Sequence, residues 1–113
     1  MDCIFCKIVL KEIPSKILYE DDKMLVFHDI SPQAPSHVLL IPKKHIPTLT
    51  DLTPDDTVLM GHMMVKIPEI VKELGLTGKG VRLVSNCGAE AGQAVFHLHF
   101  HLMGGRAFTW PPG

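Results

Sequence analysis

The chain has 113 residues, of which 46% are apolar and 20% are charged, and its formal net charge is −1 at pH 7. This composition predicts one globular domain over residues 1–113 and excludes a disordered chain. The near-neutral charge disfavours a nucleic-acid partner, and the lack of an apolar run of roughly 20 residues disfavours a membrane span.

The N-terminal segment carries two of the three cysteines. It shows no basic stretch followed by a long apolar one, so we expect no secretory signal and a cytoplasmic location. An odd number of cysteines disfavours a fully paired disulfide framework. In a reducing compartment the C-x-x-C spacing of Cys3 and Cys6 indicates metal or redox chemistry. Apolar residues at helical spacing predict a short helix over residues 3–10, broken before Pro14.

Three strands are predicted after this helix. Residues 16–20 and 23–28 favour two strands joined by an acidic turn, since β-branched and aromatic residues flank three consecutive carboxylates. Residues 29–35 contain two prolines and predict a loop. The mostly apolar run over residues 37–42 is typical of a buried central strand.

A long helix is predicted next. Thr53 is a suitable N-cap, Pro54 suits the first helical position, and Gly75 is a plausible C-cap. The apolar stripe consists of Leu59, Met63, Ile67, Ile70, Val71 and Leu74. Pro68 conflicts with this helix because it lacks an N–H group and clashes with the preceding turn, so we expect a kink or an early break there.

Two further strands are predicted, over residues 81–86 and 95–103, with a loop over residues 87–94 between them. The element order is therefore helix, three strands, helix, two strands. Runs of strands without regular βαβ alternation indicate an α+β domain with a largely antiparallel, five-stranded sheet and two helices.

The last predicted strand carries His97, His99 and His101. Side chains alternate between the faces of a strand, so these three imidazoles project to one side, with neighbours roughly 6.5–7 Å apart. A solvated strand face, a metal site and a nucleophilic histidine with supporting neighbours all remain open on this pattern. The glycine-containing segments 92–94 and 104–106 flank the strand and suit either phosphate binding or ordinary turns.

The H-x-H-x-H pattern resembles the histidine triad superfamily, and the whole chain is similar to its Hint branch, the nucleoside phosphoramidases. The matching blocks in chain order are Phe5–Ile8, Glu12–Pro14, Phe27–Pro35, Ile41–His45, Gly92–Gln93 and Trp110–Gly113. Several blocks in the right order are more specific than the triad alone. The resemblance implies a HIT-like fold whose sheet extends across a two-fold dimer.

This resemblance implies a concrete reaction. His99 matches the nucleophile that attacks the α-phosphorus of a nucleoside monophosphoryl substrate and forms a nucleotidyl-histidine, which water then releases. His101 matches the histidine that contacts the phosphate, and His37 matches a fourth histidine that completes the proton network. The expected substrates are purine nucleoside 5′-phosphoramidates or acyl and aminoacyl adenylates, with no metal required at the phosphorus.

The resemblance also implies a nucleotide-binding set. Asp29 would accept hydrogen bonds from the ribose hydroxyls, and Ile30 and Phe27, with neighbours such as Ile8 and Ile13, would wall the purine base. The phosphate would be met by His99 and His101 together with Asn86, Gly92, Gln93 and Ala94. Ala94 stands where well-studied members carry a hydroxyl residue, so one side-chain donor is missing here.

A metal site and an assembly follow from the same resemblance. Cys3, Cys6, His45 and His97 match the zinc ligands of some members, and four protein ligands are typical of a structural site. The C-terminal tail, with Trp110, would reach toward the active site of the other protomer of a homodimer.

Three alternatives to the phosphoramidase remain open. They are a dinucleoside polyphosphate hydrolase or nucleotidyl transferase, a nucleotide-binding interaction module with incidental activity, and a metallohydrolase with zinc on His97 and His99. The choice between adenine and guanine is also open.

Overall fold

The structure is a computed structural model that describes residues 2–113. Its helices are α1 (Ile4–Val9), α2 (Thr57–Val65) and α3 (Ile67–Glu73), and its strands are β1 (Ile17–Glu20), β2 (Met24–His28), β3 (Ser36–Pro42), β4 (Val81–Val84) and β5 (Phe100–Gly104). Short 3-10 turns occupy Leu49–Asp51, Pro54–Asp56 and Ala89–Ala91. Over the described residues, no helix has the length and apolar character that crossing a membrane requires.

Within residues 2–113 the five strands form one sheet in the order β1-β2-β3-β5-β4, and every neighbouring pair is antiparallel. The α+β class, the antiparallel sheet and the central place of β3 are therefore confirmed. β3 is buried over nearly its whole length because strands flank it on both edges and helices cover both faces.

Alternate residues of the sheet feed two apolar layers. One face packs against α1 through a cluster of Cys3, Phe5, Ile8, Leu25, Phe27, Leu39 and Ile41. The other face packs against α2 and α3 through Met24, Val26, Val38, Leu40, Met63, Ile70 and Leu102. On this second side, His62 of α2 lies 2.6 Å from Asp21 in the β1–β2 turn, which ties the helix to the hairpin. The face under α1 is the one that receives the histidines.

The predicted long helix is present as two helices. The chain enters it through the 3-10 turn after Thr53, whose N–H donates to Asp56 Oδ2 at 3.0 Å. Pro68 lies in the first turn of α3, where a missing N–H costs nothing, and α2 ends before it at Lys66. α3 ends at Glu73 with Leu74 as its C-cap, and Gly75 follows with a φ of +72°, the left-handed conformation that glycine adopts readily. The expected break is confirmed, and the glycine expected as C-cap lies one residue after the observed C-cap.

The last strand is shorter than predicted, and this is a correction. The sequence predicts a strand over residues 95–103, but β5 begins only at Phe100, and β4 likewise ends at Val84 instead of residue 86. Pro42 explains the later start. It has no N–H to donate, so the hydrogen-bond ladder between β3 and β5 does not continue to this end of β3. The Pro42 carbonyl instead accepts a hydrogen bond from the His97 ring at 2.8 Å.

Candidate functional site

The three histidines still line one side of the molecule, although only one of them belongs to a strand. His101 lies within β5, whereas His97 lies in a bend and His99 lies between that bend and β5. The rings of His99 and His101 are 5.1 Å apart between centroids, and the Phe5 ring of α1 lies 5.1 Å from His99. The sequence was therefore right about the shared side and wrong about the strand that produces it.

A backbone carbonyl decides which tautomer neutral His99 adopts. Its Nδ1–H donates to the carbonyl oxygen of His97 at 2.7 Å, so the neutral ring has its lone pair on Nε2. The ring is almost fully buried, and it lines the cavity between α1 and the sheet. An imidazole held in this way presents an unprotonated nitrogen to a substrate without needing a separate base.

A hydrogen-bonded relay lies beside His99. The Gln33 N–H donates to His37 Nδ1 at 3.0 Å, so neutral His37 carries its proton on Nε2. That Nε2–H donates to His101 Nδ1 at 2.9 Å, which leaves the His101 proton on Nε2. Asp29 Oδ2 lies 3.4 Å from His37 Nε2 and 4.0 Å from His101 Nδ1. The order of donors is thus fixed from a peptide group to His101.

Burial keeps this relay uncharged near neutral pH. Desolvation lowers the pKa of His37, and the Asp29 charge opposes that shift only in part. Desolvation also lowers the pKa of His101, with further lowering from the neighbouring His99 and His37 and an opposing effect of Asp29. Both rings therefore act as neutral donor–acceptor pairs at pH 7.

Asp29, His37 and His101 also bring their ligand atoms within 4.8 Å of one another, a spacing at which a cation site has to be considered. A cation would need the lone pair of His37 Nε2, so this nitrogen would have to lose its proton. The proton could not move to Nδ1, because the Gln33 N–H already points at that atom. The arrangement fits a hydrogen-bond relay and not a metal site.

A cavity of about 580 Å³ opens between α1 and the histidines. Its lining includes the residues expected around a purine base, namely Ile8, Ile13, Phe27 and Ile30, and also Asp29, Ala94, His99 and His101. Phe27 and Ile8 are buried, whereas Ile30 is 99% exposed and stands at the mouth. The volume lies within the range of small-molecule sites, and the lining is mainly apolar with a few polar groups at one end.

The loop before His97 uses most of its polar groups internally. The Gln93 side chain accepts from the Gly88 N–H at 2.8 Å and donates to the carbonyls of Pro47 and Val95. The N–H groups of Gly92 and Gln93 donate to the Ala89 and Gly88 carbonyls. The Gln93 side chain therefore braces the loop, and the expected part of Gln93 in a phosphate site stays a prediction. Ala94 is exposed at the cavity.

A second cavity, of about 310 Å³, lies on the other side of His101 and escaped the sequence analysis. It is lined by Gln33, His37, Arg82, Val84, Asn86, His101, Met103, Arg106, Phe108 and Pro112. Asn86, expected to meet phosphate or ribose, thus lies here and not among the residues that line the first cavity. The alternation of Arg82 and Val84 along a strand was the available signal, but their alignment with His101 needed the sheet order.

Cys3, Cys6, His45 and His97 form a compact group at the end of α1. Cys3 Sγ and Cys6 Sγ lie 3.3 and 3.6 Å from His97 Nδ1, Cys6 Sγ lies 3.3 Å from His45 Nδ1, and the two Nδ1 atoms are 3.2 Å apart. Tetrahedral zinc sites separate two nitrogens by about 3.4 Å and a nitrogen and a sulfur by about 3.6 Å, as follows from their bond lengths. The four residues therefore fit the metal that the sequence analysis expected.

The chemistry of these donors also fits a cation. The His97 Nε2–H donates to the Pro42 carbonyl, which leaves the Nδ1 lone pair facing the sulfurs. Burial, followed by the hydrogen bond and the charge of Cys3, raises the pKa of the Cys6 thiol to about 11. A bound cation would reverse this effect and ionise the thiols. Metal binding here would release protons and join α1 to the segments that carry His45 and His97.

Comparisons with known proteins agree with this geometry. Residues 10–108 match the family model described as HIT domain. An uncharacterized HIT-like protein of Synechocystis is 57% identical over 112 residues, which cover 99% of this chain and 97% of the relative. A HIT family hydrolase from Legionella pneumophila has a TM-score of 0.96 and 47% identity, covering 99% of this chain and 100% of that one. A histidine triad nucleotide-binding protein from Candida albicans has a TM-score of 0.83 and 38% identity, covering 97% and 83%.

Proposed function

The chain belongs to the HIT (histidine triad) domain family, and from that premise we propose that it hydrolyses purine nucleoside 5′-phosphoramidates through a covalent intermediate on His99. One observation carries the proposal: the His99 Nδ1–H donates to the His97 carbonyl, so the Nε2 lone pair is free at the cavity. A structural neighbour is described as a hydrolase and another as nucleotide-binding, which supports the reaction class and the ligand class.

In the first step His99 Nε2 attacks phosphorus, so the P–Nε2 bond forms and the P–N bond to the leaving amine breaks. The phosphoramidate nitrogen carries a proton taken from water, so the amine leaves neutral, and the His101 Nε2–H, which the His37 relay positions, donates a hydrogen bond to the lone pair that forms on the departing nitrogen. In the second step water attacks phosphorus, the P–Nε2 bond breaks, and the nucleoside monophosphate leaves. The attacking water gives its proton to the solvent, and His99 returns to its neutral form with its proton on Nδ1. Imidazole suits both steps because it is a nucleophile and a leaving group at neutral pH.

The substrate's nucleoside occupies the cavity under α1. The base lies among Ile8, Ile13 and Phe27, and exposed Ile30 closes over it. Asp29 accepts the ribose hydroxyls through Oδ2, because its Oδ1 already accepts the Ser31 N–H at 2.8 Å. The phosphate lies between His99 and His101 and meets the Ala94 N–H, since the two preceding N–H groups are already bonded.

The decisive experiment replaces the nucleophile. His99→Ala should lower the turnover of adenosine phosphoramidate by a thousandfold or more, on the order seen when a catalytic nucleophile is removed. Calorimetry should show adenosine monophosphate binding retained, because the base and ribose contacts remain. The wild-type chain, quenched early in turnover, should carry one adenylyl group by intact mass.

His62→Gln is the matched control, because it removes an imidazole on the opposite face of the sheet. Its turnover should match that of the wild type at a temperature where both are folded. Near-normal turnover by His99→Ala would refute the covalent mechanism. Faster turnover of diadenosine polyphosphate than of phosphoramidate would favour the second candidate, a dinucleoside polyphosphate hydrolase. The second cavity supports this candidate because two arginines line it.

The proposed zinc has a structural role. Cys3, Cys6, His45 and His97 would hold it, and it would fasten α1 to the sheet without taking part at the phosphorus. In the reducing cytoplasm, where we expect this chain, these cysteines stay reduced and available to the metal. Elemental analysis should find one zinc per chain, and Cys3→Ser with Cys6→Ser should abolish it, lower the melting temperature and spare the turnover number. Metal retained by the double serine variant would instead place it elsewhere.

The proposed assembly is a homodimer that pairs two β4 edges. β4 is an edge strand, and its Leu83 is 37% exposed, so it offers a partly apolar ladder for a second copy. Trp110 is 83% exposed and available to the other protomer's site. Leu83→Lys should shift the chain from dimer to monomer in analytical ultracentrifugation. Ile17→Lys, at 39% exposure on the opposite edge strand, should leave the mass unchanged. The reverse pattern would exclude β4 as the interface.

A further inference from the structure

We propose that the second cavity is the subsite of the leaving group, and that Arg82 selects leaving groups that carry a negative charge. This inference rests on the proposed function, because it assigns the half of the substrate that departs from phosphorus. Of the residues that line this cavity, the resemblance assigned only His37, Asn86 and His101, and the inference turns on two arginines that were not among the expected site residues.

The position of the cavity follows from the sheet. Arg82 and Val84 of β4 share a face, as do His101 and Met103 of β5, and the register pairs Val84 with His101 and Arg82 with Met103. Val84 therefore lies beside His101, and Arg82 is the next residue of β4 on the same face, roughly 7 Å further along the strand. His101 lines both cavities. A phosphorus held at His101 thus has the apolar nucleoside cavity on one side and the second cavity on the other.

The charge of the second cavity is uncompensated. The guanidinium groups of Arg82 and Arg106 lie 5.1 and 4.3 Å from the centroid of the Phe108 ring. Among the ion pairs of residues 2–113, neither arginine has a carboxylate partner. Their charge therefore faces a cavity whose other lining residues are neutral or apolar, apart from the histidines. Such a site attracts an anion and penalises a cation.

The two arginines differ in what they have left to offer. Arg106 donates twice to the Gln33 carbonyl, at 3.2 and 3.0 Å, and once to that of Ala107, so its fork is largely used to hold the backbone. Arg82 donates once, to the Thr109 carbonyl at 2.8 Å. A guanidinium has five N–H donors, so Arg82 retains a pair that could grip a carboxylate or phosphate. Arg82 is thus the selecting residue, and Arg106 is the fixed support.

The cavity size sets the scale of the leaving group. About 310 Å³ is at the small end of ligand sites and suits a short chain with one charged end. A carboxylate on a departing amine and a phosphate on a departing nucleotide share the chemistry that Arg82 recognises. The anion would be held in the ground state and in the transition state, so the preference appears in kcat/KM.

The test compares two adenosine phosphoramidates that differ in one group. Their leaving amines are 3-aminopropanoate, which is anionic, and 3-aminopropanamide, which is neutral and nearly the same size. The wild type should prefer the anionic substrate by about tenfold in kcat/KM, as expected of one partly exposed charged contact. Arg82→Gln should remove that preference, and Arg82→Lys, which keeps the charge, should retain part of it. Diadenosine triphosphate forms a third arm, with a nucleotide as the leaving group.

Lys79→Gln provides the matched control, because it removes one positive charge from an exposed position close to β4 but outside the cavity. Its ratio should equal that of the wild type. If Arg82→Gln affects only the carboxylate-bearing phosphoramidate, the natural leaving group is an amine that bears a carboxylate. If it affects only diadenosine triphosphate, the natural leaving group is a nucleotide. If all three substrates are cleaved and Arg82→Gln changes no ratio, the subsite is refuted. If the wild type cleaves none of them, the proposed function itself has failed.

Discussion

His101 is the residue at which the two cavities meet, and its value lies in being neutral. Its Nδ1 accepts from His37, so its only proton sits on Nε2, where it can donate to the leaving group of the proposed reaction. A protonated His101 would instead confront the His37 N–H with a second donor. The lowered pKa values of both rings, which arise mainly from burial, keep this conflict from arising at neutral pH.

At this scale His37→Gln is the informative substitution. The glutamine amide has no ring to hold its donor toward His101 Nδ1, so His101 loses its fixed tautomer while its proposed contact with the substrate remains. We expect kcat to fall by about a hundredfold, the size of effect seen when one preorganised hydrogen-bond donor is lost, with little change in KM. The profile of kcat against pH should also differ from that of the wild type at acidic pH. A rise in KM with unchanged kcat would assign His37 to binding alone.

At the scale of elements, the segment after β5 depends on one glycine. Gly105 has φ of +94°, and a Cβ there would lie 2.8 Å from Pro35 Cβ in the loop that precedes β3. Gly105→Ala should therefore destabilise the fold by roughly 1–3 kcal/mol, from backbone strain and the forced movement of a proline. Urea unfolding measures this change.

Gly80→Ala is the comparison for that substitution. Gly80 lies just before β4, no atom lies within 4 Å of a Cβ built there, and it has no positive φ. The free energy of unfolding of Gly80→Ala should stay within about 0.5 kcal/mol of that of the wild type, or rise slightly because the unfolded chain loses conformational freedom. Equal losses at both glycines would show that the Pro35 contact is not what matters.

The elements also show what the sequence could predict. Periodicity located both helical regions and all five strands, because the apolar stripe of α2 and α3 and the run in β3 are local properties of the chain. The start of β5 was not local, since it depends on Pro42 of another strand, 58 residues earlier than Phe100. The second cavity was missed for the same reason: Arg82 becomes meaningful only beside His101.

The site residues divide in a similar way. His99, His101 and His37 could be named because a family resemblance pointed to them, and the structure brings their rings together. The internal use of Gln93 could not be foreseen, because one of its three partners, Pro47, comes from a different segment of the chain. The sequence of a glycine-rich loop does not reveal whether a glutamine side chain in it hydrogen-bonds to a ligand or to the backbone of the protein.

For the whole molecule, buried neutral histidines link folding to pH. The pKa values of His37 and His101 are lower in the folded chain than the unfolded value near 6.5, so the unfolded state binds more protons below that pH. Their stabilisation is complete above about pH 6.5 and is lost as the pH falls toward the folded values. Urea unfolding should therefore give a smaller free energy at pH 5.5 than at pH 7.5.

The control for this profile is the variant His37→Gln with His101→Gln, which keeps the cysteine–histidine group intact. Its stability should fall less between the same two pH values, and the difference between the profiles reports the two rings. Parallel profiles would mean that groups other than these two rings control the acid response.

The groups that orient three of the imidazoles are parts of the main chain: the Gln33 N–H for His37, the Pro42 carbonyl for His97 and the His97 carbonyl for His99. Point substitutions exchange side chains and leave peptide groups in place, so almost none can delete these orienting bonds. Proline at position 33 is the exception, because it alone would remove an N–H. A mutational scan should therefore find intolerance concentrated on the rings, while position 33 accepts most residues that preserve the path of its loop.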